Sequence, residues 1–165
     1  MTRQDLGNET TTLVADGADL VLERVFDAPR ELVWTALTSP EHIPQWWGPH
    51  GTTPTVVEMD VRPGGRWRWI AAASDGGGAP FAGEYLEVVP PERIVRTVIF
   101  DVEPFNAGPA AVETTTLEDL AGRTRVRGHT RFPSAEVLGG ALATGMSRGA
   151  LESYDRLAHL LTELA

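Results

Sequence analysis

The sequence contains no cysteine and no lysine, and both absences narrow what the chain can do. Without thiols there is no disulfide, no thiolate nucleophile and no cysteine-type zinc site, a usage compatible with a reducing compartment. All 14 basic residues are arginine, and they face 23 acidic ones, for a formal charge of −9. That balance opposes nucleic acid and anionic membrane as partners. No apolar run reaches the roughly 18 to 20 residues of a membrane span, and the N-terminus lacks the basic-then-apolar order of a signal peptide. A soluble cytoplasmic protein is expected, with neither nucleic acid nor membrane as partner. Phosphate-cradling and nucleophile-elbow motifs are missing too, since Gly76-Gly77-Gly78 is followed by neither lysine nor helix. No pair among His42, His50, His129 and His159 has metal-ligand spacing, so no metal and no cofactor is expected.

What is present reads as one domain, because 165 residues can bury about two-thirds of their unfolded surface in a single core. Residues 1–16 are polar and threonine-rich and read as a loose arm, or as a short edge strand near Leu13. Asp19 to Phe26 alternates as a strand, after which Asp27 is placed to cap a helix starting near Pro29. A second short helix is expected from Ser39 as cap and Pro40 as first residue, shortened by Pro44 and stopped by Gly48-Pro49. Thr53 to Phe132 then reads as a six-stranded antiparallel meander. Within it Arg66-Trp67-Arg68-Trp69-Ile70 puts both tryptophans on one face and both arginines on the other, and Ser74 to Pro80 is a hairpin loop. The last segment holds one long helix whose buried face is leucine-rich near its end and small at Gly149, Ala150 and Ser153. Gly139-Gly140 and Gly145 predict a hinge or loop before it.

Several stretches carry a resemblance. They are Phe26-Asp27-Ala28-Pro29 with Val33-Trp34, Ser39-Pro40-Glu41-His42 with Trp46-Trp47-Gly48-Pro49, and Asp60-Val61-Arg62-Pro63-Gly64-Gly65-Arg66. Gly83-Glu84-Tyr85, the run Val89 to Val95 and Gly145-Met146-Ser147-Arg148-Gly149 extend it over most of the chain from about residue 19. In these the chain resembles homologues of the C-terminal domain of the activator of heat-shock protein 90 ATPase, a branch of the START-like (SRPBCC) helix-grip superfamily. The resemblance implies an α+β helix-grip fold for residues 17–165. A curved antiparallel sheet of about seven strands would surround a long C-terminal helix, with two short helices after the first strand.

A curved sheet cannot close tightly on a small-residue helix face, so an internal cavity on the order of 300–1,000 Å³ is expected. Its candidate lining is Trp46, Trp67, Trp69, Phe81, Tyr85, Phe100, Phe132, Met146, Ala150 and Tyr154. The position of Ala150 is often tryptophan in the family that the chain resembles, which would enlarge the space here. Each aromatic taken alone is ordinary core, and the binding reading rests on the set. No residue is assigned a catalytic role, although Glu84 and Arg96 are charged residues in strands that could face the cavity. His129 shares parity with Arg123, Arg125, Arg127 and Arg131, a row read as a solvated outer face paired with acids of neighbouring strands. Three functions follow. The first is binding of a small hydrophobic molecule, aromatic or lipid-like. The second is an enzyme of cyclase, aromatase or hydrolase type acting on such a molecule. The third, implied by the resemblance alone, is a stress-related co-chaperone, against which the chain lacks the separate N-terminal domain of eukaryotic activators. The edge strand near Leu13, or the exposed tryptophan of the Trp46-Trp47 pair, offers a surface for a homodimer.

Overall fold

The computed structural model describes residues 3–72 and 78–165. In chain order the elements are β1 (Arg3–Asp5), β2 (Thr12–Asp16), β3 (Asp19–Phe26), α1 (Arg30–Thr38), α2 (Ile43–Trp46), β4 (Thr55–Met59), β5 (Arg66–Ala72), β6 (Gly78–Val89), β7 (Arg93–Phe100), β8 (Ala111–Asp119), β9 (Thr124–Arg131), α3 (Ala135–Leu142) and α4 (Met146–Leu164). The strands form one curved antiparallel sheet in the order β1-β2-β3-β9-β8-β7-β6-β5-β4, and α4 lies along its concave side. The helix-grip architecture is thus as the sequence implies, with nine strands among the described residues instead of about seven.

The two extra strands lie in residues 1–16, read as a loose arm or as a short edge strand near Leu13; β2 stands where that edge strand was expected, and β1 was not expected. Leu13 is fully buried in β2, and β1 adds to it through Arg3↔Asp16, Gln4↔Ala15 and Asp5↔Val14. All three side chains of β1 are exposed, so backbone pairing alone makes it a strand and no alternation betrays it. The six-stranded meander runs from β4 to β9. Of the hairpin loop expected at residues 74–80, residues 74–77 fall outside the described residues and Gly78 already belongs to β6.

Three helix boundaries differ from expectation, each for a local reason. Asp27 does not cap α1; Pro29 stands in extended conformation at that place, and its carbonyl accepts from Leu32 N and Val33 N. Ser39 ends α1 and opens a turn, its carbonyl accepting from His42 N and Ile43 N, but Pro44 has no N–H to give and only Ile43–Trp46 are helical. The glycine-rich stretch before α4 is helical. Ser134 caps α3 by accepting from Val137 N at 3.2 Å, and Leu138, 2 % exposed, anchors it, which offsets the roughly 1 kcal/mol that each of Gly139 and Gly140 costs. The break falls at Gly145, whose φ of +87° is left-handed.

Two apolar clusters result. The larger joins α1, α2 and α4 to the concave face through Phe26, Val33, Ile43, Trp46, Trp67 and Leu157. The smaller sits under α3 at the other end, around Leu13, Ala15, Leu20 and Leu138. Between α2 and α4 the loop Trp47-Gly48-Pro49 is tied down by polar bonds. Gly48 N donates to Ser153 Oγ at 2.8 Å, and Arg156 Nη1 donates to the carbonyls of Gly48 and Pro49, both at 3.0 Å. This fixes the position of Trp47 over the sheet.

Candidate functional site

The concave face is set by strand register. Opposite Trp67 on β5 is Gly83, and opposite Trp69 is Phe81; Phe81 pairs with Phe100, Tyr85 with Arg96, and Arg96 with Glu113. From Glu113 the row continues to Thr130, and from Thr115 to Gly128 and Leu22. A bulge between Tyr85 and Glu87 bends β6 there. Gly83 makes this wall possible, since its bare backbone lets Trp67 Nε1 reach across and donate to Thr97 O at 3.1 Å.

On that wall sits a charged pair. Arg96 Nε donates to Glu113 Oε1 at 2.8 Å, with the side chains 12 % and 28 % exposed. The guanidinium carbon lies 4.0 Å from the Trp67 ring centre and 4.8 Å from that of Trp69, which makes a cation–π sandwich edge on the aromatic shelf. Trp47 meets Trp69 and Phe81 edge-on at 5.2 and 5.4 Å, and Phe81 stacks on Phe100 at 5.0 Å. Across from them Tyr154 of α4 packs on Phe26 at 5.5 Å. Arg24 of β3, paired with Asp155 of α4 at 2.6 Å, is a second cation on the inner face, and a charge pair held there costs desolvation that a pair of apolar residues would not. Its partly open carboxylate and its stacked guanidinium can meet the polar end of a ligand whose body lies on the rings.

The electrostatics reach both tyrosines of the chain. Burial pushes the Tyr85 hydroxyl up, with Arg96 opposing and Glu113 adding to the rise. Burial also raises Tyr154, again helped by the Glu113 carboxylate and opposed by Arg96. Because the neutral phenol is the form favoured by folding, this stability is whole below the unfolded tyrosine value near 10 and is lost as pH rises through the folded values. With only two tyrosines in the sequence, absorbance at 295 nm should show less tyrosinate at pH 10 than two free tyrosines give, with the rise displaced to higher pH. Half-ionisation near pH 10 in folded protein would contradict the buried placement of both.

Of the ten residues expected to line the cavity, Trp67, Trp69, Phe81, Tyr85, Phe100 and Tyr154 lie on or against this wall. Trp46 turns the other way, its Nε1 donating to Ala36 O at 2.9 Å between α1 and the core. Phe132 and Met146 pack with the smaller cluster under α3, and Ala150 is half-buried on α4. Glu84 is exposed opposite Arg66 on the outer face, whereas Arg96 points inward. The row on β9 is an outer face: Arg125 and Arg127 approach Glu23, and His129 and Arg131 bond Asp19 at 2.8 Å each. Glu113 and Gly128 were not singled out by sequence, and Trp47 was read only with Trp46, as a pair offering a dimer surface. For Glu113 the available signal was its parity with Ala111 and Leu117, both buried.

Elsewhere, a cleft of about 220 Å³ opens between α2 and α4, lined by residues including His50, Arg156 and His159. Another of about 180 Å³ lies between β2 and α3. Neither shares a residue with the ten. Among the described residues no group of three His, Asp or Glu side chains is placed to hold a metal ion, and no helix is long and apolar enough to cross a membrane.

No curated protein matches the chain by sequence. Among solved structures it is similar to a Mycobacterium smegmatis protein, at 28% identity over 87% of this chain and 90% of that one, with a TM-score of 0.79. A Chromobacterium violaceum protein is similar at 29% identity, covering 87% and 96%, with a TM-score of 0.76. An Arthrobacter aurescens protein, at 24% identity over 88% and 87% with a TM-score of 0.80, shares the fold. Residues 27–162, which include the whole wall from Trp47 to Tyr154, match the family described as Activator of Hsp90 ATPase homolog 1-like protein, and the chain belongs to that family.

Proposed function

We propose that this protein binds a small hydrophobic molecule, aromatic or lipid-like in body, between the first half of α4 and the concave wall of β5 to β9. The observation that carries the reading is the Arg96–Glu113 pair on the Trp67–Trp69 shelf. A fold seeking stability alone does better with apolar residues there. The register neighbours of Glu113 on that face, Thr130, Thr115 and Gly128, carry little side-chain bulk, which supports the reading. A thermal-shift screen against aromatic polyketides, flavonoids, sterols and fatty acids, with tryptophan fluorescence as second readout, tests it. Ligand at a hundred times its dissociation constant stabilises the fold by about 2.7 kcal/mol. A reproducible shift with quenching supports the reading; no shift in any class overturns it.

The same pair favours a second reading, turnover of the bound molecule. Glu113 has the chemistry of a general base and the protonated tyrosines that of hydrogen-bond donors, which suits a cyclase-, aromatase- or hydrolase-type reaction. Mass spectrometry of a recovered ligand separates the two readings. The family's name suggests a third, stimulation of a heat-shock ATPase, and an unchanged ATPase rate of the host's own chaperone would dispose of it.

A further inference from the structure

We infer that the indole N–H of Trp69 is the group that recognises the ligand, and that the ligand carries a carbonyl oxygen of ketone or ester type. The inference rests on the ligand-binding reading above. Three tryptophans of the larger cluster are almost wholly buried, and two of them have their N–H satisfied: Trp46 by Ala36 O at 2.9 Å and Trp67 by Thr97 O at 3.1 Å. Trp69, 2 % exposed, has an Nε1 that is buried and has no hydrogen-bond partner among the described residues. Buried donors are nearly always paired, and one left alone asks for an acceptor that the described residues do not supply. The only other such side-chain atom among the described residues, Arg30 Nε, belongs to a guanidinium whose Nη1 lies 4.0 Å from Glu92 Oε1.

The surroundings of Trp69 decide which acceptor fits. Its ring is enclosed by Trp67 at 4.8 Å, Trp47 at 5.2 Å and the Arg96 guanidinium at 4.8 Å, so an aromatic or lipid-like body is flanked by apolar rings. The nearby cation already holds Glu113, which leaves no net positive charge to retain a carboxylate. A neutral carbonyl oxygen accepts the N–H without bringing an anion toward Glu113.

The test uses the full chain and three compounds of one shape: 2-acetylnaphthalene, 2-isopropenylnaphthalene, in which carbon replaces the carbonyl oxygen, and 2-naphthoate. Titration by tryptophan fluorescence should rank the ketone about three- to tenfold tighter than the alkene, the range of one neutral hydrogen bond, with naphthoate no tighter than the ketone. In ¹H–¹⁵N spectra of the unmodified protein the Trp69 indole resonance, assigned by its loss in Trp69→Phe, should move downfield with the ketone and not with the alkene. Trp69→Phe should bring the ketone's affinity down to that of the alkene. Equal binding of ketone and alkene, with the indole resonance unmoved, overturns the carbonyl inference and leaves the hydrophobic site standing. Tighter binding of naphthoate overturns it in favour of an anion. Failure of all three compounds to bind removes the site and the inference together.

Discussion

Replacing Gly83 by alanine is expected to destabilise the protein by at least about 3 kcal/mol, the range of forced overpacking and beyond. A Cβ there would lie 1.8 Å from Thr97 O and 2.7 Å from Trp67 Nε1. The first neighbour is backbone of β7 and cannot step aside, so β6 must shift or the Trp67–Thr97 bond must break. Either event moves the shelf under Arg96. Urea unfolding should show a fall in midpoint with little change in slope. Gly128→Ala is the control on the same concave face. Its added methyl would meet the Tyr154 hydroxyl at 3.7 Å and Leu22 O at 3.9 Å, both ordinary contacts, so stability should change by less than about 0.5 kcal/mol. Equal stabilities of the two variants would show that the wall is not built as described.

Removing one half of the interior ion pair should come next in size. Glu113→Leu leaves the Arg96 guanidinium, 12 % exposed, without its carboxylate and stacked against two indoles. Breaking a buried pair from one side costs about 3–5 kcal/mol, and the partial exposure of Glu113 places this case near 3. The double variant Arg96→Met with Glu113→Leu removes both charges and should recover most of that loss, because the pair contributes little net stability. Ligand affinity should behave differently, falling in the single and the double variant alike. If the double variant were as unstable as the single one, the pair would be structural and the case for a binding role would weaken.

The wall was legible in the sequence where alternation is strict. Arg66-Trp67-Arg68-Trp69 separates its faces, and the structure buries both tryptophans while Arg68 reaches outward to Asp101 at 2.9 Å. The outer cationic row of β9 was equally readable, since its partners Glu23 and Asp19 lie on the adjacent strand. Glu113 was harder to place, because Val112-Glu113-Thr114-Thr115-Thr116 shows no apolar contrast; its parity with Ala111 and Leu117 was a thin signal, and the pairing with Arg96 fixes its face. Trp46 and Trp47 were read as a pair with one member exposed, but the helix ends at Trp46 and Trp47 takes an extended ψ of 127° that carries it to the sheet. Phe132 and Met146 were drawn toward the cavity because the glycine pair hid α3. Once that helix exists, it covers their end of the sheet with a cluster of its own. Composition and periodicity specify elements and faces; which end of a face a distant helix covers is settled by tertiary packing.

The most direct measurement is a crystal structure of the protein with the compound that gives the largest thermal shift. The account predicts that compound between α4 and the concave sheet, its body against Trp67, Trp69 and Phe81 and its polar end within hydrogen-bond reach of Arg96, Glu113 or Trp69 Nε1. Density for the compound only in the surface cleft by His50, Arg156 and His159, with the Arg96–Glu113 pair untouched, would contradict it.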